Sequence, residues 1–287
     1  MEGILTSLIA LIGLTSVLAT VLVLANRLLA VAEDPRIDSV EEMLPHTNCG
    51  GCGYPGCRAF AVALVAGKVE PARCTVGSPS DHSRIAAYLG VDVGQFEKRV
   101  ARLACAGGDN VAPHRAQYRG TQSCGAAALV AGGGKSCFWG CLGLADCQLA
   151  CTFDAITMNE HRLPVVDEDL CTACGDCVRA CPKDLFSLQA VTNRLWVACR
   201  SQEAGDQVLE ECQVGCTACG RCAMDAPQVV QMIGNLPVVD YRVADLSPVA
   251  TQRCPTGAIV WLEKSGPVKG AAAAPVLRHS PMRDMPT

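Results

Sequence analysis

The chain has 287 residues, a net charge of −4 at pH 7, 4% aromatic residues and 20 cysteines. The acidic balance argues against a nucleic-acid partner, and so few aromatic side chains are thin material for conventional hydrophobic cores. The cysteines fall in C-x2-C groups rather than the scattered spacings of secreted disulfide domains, which points to metal-binding thiolates in a reducing compartment.

Gly3 to Asn26 is an uncharged run of 24 residues, mostly Leu, Ile, Val and Ala. That exceeds the roughly 20 residues a helix needs to cross a bilayer, and residues 1–27 are expected to form a transmembrane anchor with its helix from Ile4 to about Arg27. A cleaved signal peptide would carry a basic start and a shorter apolar run, whereas only Glu2 precedes this one. A buried core helix is the bland alternative. Arg27 and Arg36 follow the run, so the positive-inside rule puts the body of the chain in the cytoplasm. The thiol-rich composition agrees with that side.

The stretch "NCGGCGYPGC" at 48–57, with Cys74 beyond it, spaces Cys49, Cys52, Cys57 and Cys74 as C-x2-C-x4-C-x16-C. Four thiolates in one short segment can enclose a 4Fe-4S cluster, and the glycines let the backbone wrap closely. "RAFAVALVAGK" between the third and fourth cysteines predicts a short amphipathic helix. Structural zinc is the alternative reading of four cysteines, but the x4 and x16 gaps fit it poorly. These features define a small 4Fe-4S domain over 28–95, with 96–135 expected as a connecting segment.

Several other patterns carry no chemistry. "GGGKS" at 132–136 imitates a phosphate-binding loop, yet Leu129 stands where the pattern needs glycine. No G-x-G-x-x-G follows a strand pattern, so no nicotinamide or flavin domain is visible. The five histidines show no ligand spacing. Charge is uneven: 58–119 holds nine Lys or Arg against five Asp or Glu, and 137–262 holds eight against fifteen. The basic stretch would draw an acidic carrier protein, against the plainer reading of a solvated surface.

The second half contains a repeat. "LPVVD" occurs at 163–167 and 236–240, an offset of 73. In the first copy "CTACGDCVRACP" (171–182) is a complete bacterial ferredoxin run, C-x2-C-x2-C-x3-C-P, whose fourth cysteine serves the neighbouring cluster. Cys171, Cys174 and Cys177 therefore take Cys151 as fourth ligand, and Cys181 is expected to complete the set of Cys137, Cys141 and Cys147. In the second copy Ala226 replaces the exchanged cysteine, and Ala244, Ser247 and Ala250 replace the triplet it would have served. Cys254 survives, and it belongs to the remaining triplet of Cys216, Cys219 and Cys222. The losses follow the exchange rule, so the second copy reads as a one-cluster unit, with Cys212 an alternative ligand. An offset of 75 aligns Cys124 with Cys199. Cys105, Cys124, Cys199 and Cys212 remain unplaced; buried free thiols are the default for them, another cluster the alternative.

The fold expected is α+β: one transmembrane helix, a small helical 4Fe-4S domain, then tandem bacterial-ferredoxin-like units of β-hairpins and short helices. The units span 136–190 (two clusters) and 191–264 (one cluster), and 265–287 reads as a disordered tail. About four 4Fe-4S clusters follow.

The order of membrane helix, C-x2-C-x4-C-x16-C domain and ferredoxin motifs resembles the RnfB family of the Rnf complex over about residues 1–262. "CAGG" at 105–108 and "CLGLADC" at 141–147 look like the extended forms of that family. The resemblance implies a single-pass iron–sulfur subunit on the cytoplasmic side of the cell membrane. It would belong to an ion-translocating ferredoxin:NAD+ oxidoreductase that moves Na+ or H+. It would exchange electrons with soluble ferredoxin and relay them to integral-membrane and flavin-carrying subunits, with no substrate site of its own. Two other readings stay open: a membrane-tethered polyferredoxin serving another reductase, and, through its first domain, a corrinoid iron–sulfur protein. The latter needs a corrinoid domain that no segment here is long enough to supply.

Overall fold

The absence of charge between Gly3 and Asn26 leaves a helix as the one way for this run to satisfy its own backbone groups in an apolar medium. In the computed structural model, which describes residues 2–29, 33–95, 97–205, 207–243 and 246–276, it forms α1 (Glu2–Leu29). The hydroxyls of Thr6, Ser7, Thr15 and Thr20 donate back to carbonyls three or four residues earlier, so these four are not left bare on the apolar surface. The stretch Thr6–Arg27 is long and apolar enough to cross a membrane. Its leucines and valines from Leu8 to Leu24 stand exposed, which an aqueous setting would penalise at about 25 cal/mol per Å² of apolar surface.

Three helices build the first domain: α2 (Arg36–Glu42), α3 (Cys57–Val65) and α4 (Pro79–Leu89). Val40, Phe60, Leu64 and Ile85 meet as its core. The chain enters α4 through a capping box between Ser78 and Asp81, with Pro79 at the first turn, and leaves through Gly90 in the left-handed region; each device satisfies terminal backbone groups.

The repeat is visible as two units of one plan. The first runs β1 (Arg99–Leu103), α5 (Cys124–Ala128), α6 (Asp146–Leu149), the hairpin β2 (Ile156–Met158) and β3 (Pro164–Val166), α7 (Asp176–Ala180) and β4 (Phe186–Ala190). Its first and last strands pair antiparallel, Arg99 opposite Ala190 and Leu103 opposite Phe186. The second runs β5 (Leu195–Val197), α8 (Gln207–Glu211), α9 (Arg221–Asp225), the hairpin β6 (Val230–Ile233) and β7 (Leu236–Val239), a short 3-10 turn at 248–251, and β8 (Ile259–Glu263). Again the outer strands pair antiparallel, Leu195 opposite Trp261. Both "LPVVD" motifs supply the second strand of a hairpin.

Two expectations change here. The segment 96–135 is more than a connection, because β1 within it closes the first ferredoxin unit against β4 and α5 carries Cys124. The tail expected from 265 is ordered over its described part: Gly266–Lys269 form β9 on the edge of β8, and the Ala272 and Ala274 amides donate to Gln252 and Pro255 carbonyls. Residues 277–287 and Ala244 lie outside the described residues.

Phe60 is 1% exposed at the centre of the first domain. Phe60→Ala should cost about 3–5 kcal/mol and loosen the seat of Cys57 and Cys74, which pack against the same core. Thermal unfolding of the purified chain, read together with its iron content, measures both effects.

Candidate metal centres

Five cavities in the described residues are each lined by four cysteines, and together they account for all 20. Among the described residues no three or more His, Cys, Asp or Glu side chains converge on a single-ion geometry; the thiols surround cavities rather than a point.

Cys49, Cys52, Cys57 and Cys74 line the first cavity. Asn48 Oδ1 accepts the Cys57 backbone N–H at 2.8 Å and so fixes the start of α3. The Arg73 side chain donates to the Cys52 carbonyl at 3.0 Å, closing the loop from the other side. Gly77 has to be glycine: a Cβ there would lie 2.7 Å from the His82 ring and 3.3 Å from Cys74 Sγ.

Cys151, Cys171, Cys174 and Cys177 line the second cavity, and Cys216, Cys219, Cys222 and Cys254 line another. Both triplets begin "CTACG", and both loops turn through the same left-handed pair, Ala173 with Gly175 and Ala218 with Gly220. Those conformations curl the backbone so that successive thiols face inward. In the first loop the Ala101 amide also donates to Cys171 Sγ at 3.4 Å.

Cys124, Cys141, Cys147 and Cys181 line the fourth cavity. This differs from the expected grouping, in which Cys137 joined Cys141, Cys147 and Cys181. The cause is Asp146, which opens the helix carrying Cys147. Its Oδ2 accepts the Ser123 hydroxyl at 2.9 Å and the Gly125 amide at 3.0 Å, which seats Cys124 beside Cys147. Burial opposes charge on Asp146, but these hydrogen bonds prevail and hold its pKa below the ordinary value. Cys137 is drawn elsewhere by a β-bridge between His114 and Lys135 and by the Ser136 amide donating to the Pro113 carbonyl at 2.9 Å. It shares the fifth cavity with Cys105, Cys199 and Cys212. Cys212, the alternative ligand for the last triplet, therefore faces a different cavity from Cys254.

The donor chemistry fits iron–sulfur clusters. Burial pushes the thiols of Cys141, Cys177 and Cys216 up to about 12, and those of Cys147 and Cys222 up to about 11. Such groups are protonated at neutral pH without metal and become thiolates only when iron displaces the proton. In the second unit Ala226, Tyr241, Val243 and Leu246 pack against the core around fully buried Ala250, so apolar side chains occupy the region beside Ala226.

These arrangements define an iron–sulfur protein of the ferredoxin type with an added helical domain. A family model described as "Putative Fe-S cluster" matches residues 44–76, and one described as "4Fe-4S binding domain" matches 163–186. Among curated relatives, the B-subunit of the Na(+)-translocating ferredoxin:NAD(+) oxidoreductase complex of Acetobacterium woodii is 35% identical over 83% of this chain and 72% of its own. The B-subunit of the ion-translocating oxidoreductase complex of Methanosarcina acetivorans is 34% identical over 88% of this chain and 96% of its own. The B-subunit of the proton-translocating ferredoxin:NAD(+) oxidoreductase complex of Clostridium ljungdahlii is 37% identical over 83% and 86%. The chain belongs to the RnfB family, the B-subunits of ion-translocating oxidoreductase complexes.

Asp146→Ala removes no thiol but frees the Cys124 helix. It should cost about 1–3 kcal/mol through the unsatisfied Ser123 and Gly125 donors and lower iron by about four atoms per chain, while Asp146→Asn retains most of it. Ala226→Cys should leave the iron count unchanged, because apolar side chains fill the space beside it. Anaerobic iron analysis of the three variants checks both outcomes.

Proposed function

We propose that this chain is the electron-relay subunit of a membrane complex that passes electrons between ferredoxin and NAD, coupled to Na+ or H+ movement. Its body lies on the cytoplasmic side, tethered by α1, next to integral-membrane and flavin-carrying subunits. The sets Cys49/Cys52/Cys57/Cys74, Cys151/Cys171/Cys174/Cys177, Cys124/Cys141/Cys147/Cys181 and Cys216/Cys219/Cys222/Cys254 would each hold one 4Fe-4S cluster. A cluster so bound supplies reversible one-electron exchange; the chain's own residues hold these sites close together.

The observation that carries this reading is contiguity. A Cβ on Gly51 would lie 3.3 Å from the Cα of Cys174, so the first cavity's loop rests on the second's. Cys147 and Cys177, from the neighbouring pair of cavities, are buried in one hydrophobic core with Ala101, Ile156 and Phe186. No catalytic group is needed for such a chain, and its specificity lies in docking.

The full chain in mild detergent, loaded anaerobically, should be reduced by reduced ferredoxin within the mixing time of a rapid-scan spectrophotometer, and NADH alone should leave its absorbance unchanged. Rapid bleaching by NADH would overturn the relay assignment, since it would require a nucleotide or flavin site in this chain.

A further inference from the structure

The fifth cavity has a construction of its own. Cys105 follows β1 by two residues in "LAC" (103–105), and Cys199 follows β5 by two residues in "VAC" (197–199). Each is thus the thiol at the exit of its unit's first strand. Cys137 comes from the first unit and Cys212 from the second, so each unit contributes two of the four. The units are clamped around this point: the Ala106 amide donates to the Ala198 carbonyl at 3.0 Å, the Trp196 indole to the Leu103 carbonyl at 2.8 Å, and the Gln213 amide to the Val111 carbonyl at 2.9 Å.

The space is built to hold a sizeable group. It spans about 420 Å³, part of it open to solvent. Gly107 leaves room for two thiols, since a Cβ there would lie 3.1 Å from Cys212 Sγ and 3.7 Å from Cys105 Sγ. Lys135, also lining it, is 7% exposed. Its Nζ donates to the carbonyls of Gly107 and Cys141, the latter at 2.8 Å. Asp109 interacts with it electrostatically, and Glu211, which also lines the cavity, is ion-paired to Arg115. A cluster closed by the four thiols would add a further negative group beside this ammonium.

We propose that Cys105, Cys137, Cys199 and Cys212 hold a fifth 4Fe-4S cluster at the junction of the two ferredoxin units. The site touches the cavities on either side: the Cys141 amide donates to Cys105 Sγ at 3.4 Å, and the Cys216 amide donates to Cys199 Sγ at 3.4 Å. Resting on the relay reading, it makes the five sites one series, in which a single electron entering the junction from one unit leaves to the other, with no bond made or broken. Without it the last site would have no neighbour of its kind on the side facing the first unit.

Anaerobically reconstituted full chain in detergent should show five clusters in native mass spectrometry and about 20 iron atoms. Cys105→Ser and Cys199→Ser, on different units, should each remove the same cluster, to about 16 irons, and the double variant should lose no more than either single one. Adding Cys124→Ser to Cys105→Ser should remove a second cluster, to about 12. A wild-type chain that never exceeds four clusters overturns the proposal however the variants fold, and so does zinc in place of iron at the junction or an additive loss in the Cys105/Cys199 double variant. The count is read independently of electron transfer, so its failure would leave the ferredoxin assay untouched, and the reverse.

Discussion

The requirement that four thiols close on one cavity organises everything outside α1. With five phenylalanines, four tyrosines and three tryptophans in 287 residues, the body has little large apolar material, and its cores are small. The cysteines are themselves part of them: Cys74, Cys147, Cys177, Cys212, Cys216, Cys222 and Cys254 are all buried members of hydrophobic clusters. A bound cluster cross-links its four anchor points, much as a structural metal makes folding and binding one process. The stability of each unit therefore cannot be separated from what fills its cavities.

That constraint also explains the economy of the secondary structure. The helices beside the cavities in the two ferredoxin units run only four or five residues, too short to stand alone, and the strands three to five. They are held by the turns that aim sulfur inward. The left-handed Ala173 and Ala218 show the compromise: an ordinary residue accepts a conformation that favours glycine, because the direction of the adjoining thiols depends on it.

Much of this was legible in the sequence where spacing alone sets geometry. C-x2-C-x2-C forces three thiols onto one loop, so the grouping of Cys171, Cys174 and Cys177 with Cys151 could be read from the exchange pattern of ferredoxins. The irregular stretch from Cys105 to Cys147 could not be read the same way, because its partners are chosen by tertiary contacts. Asp146 selects Cys124, and the His114–Lys135 bridge carries Cys137 away. A gapless offset aligned Cys124 with Cys199, whereas the strands align Cys105 with Cys199. The signal that would have found this was the shared tripeptide pattern of an apolar residue, alanine and cysteine at the end of each unit's first strand. It is too short to notice before the strands are known.

The order in which the cavities can close has a bearing on biosynthesis. A cavity is incomplete until its last cysteine has emerged from the ribosome, and those cysteines are Cys74, Cys177, Cys181, Cys212 and Cys254. The same succession is the one in which the cavities stand against one another in space, from the domain beside the apolar helix to the far end of the second ferredoxin unit. Although the ligands are interleaved along the chain, each newly closed site finds its neighbour already finished. The protein can therefore be assembled outward from its N-terminal end, one completed cavity serving as the wall of the next.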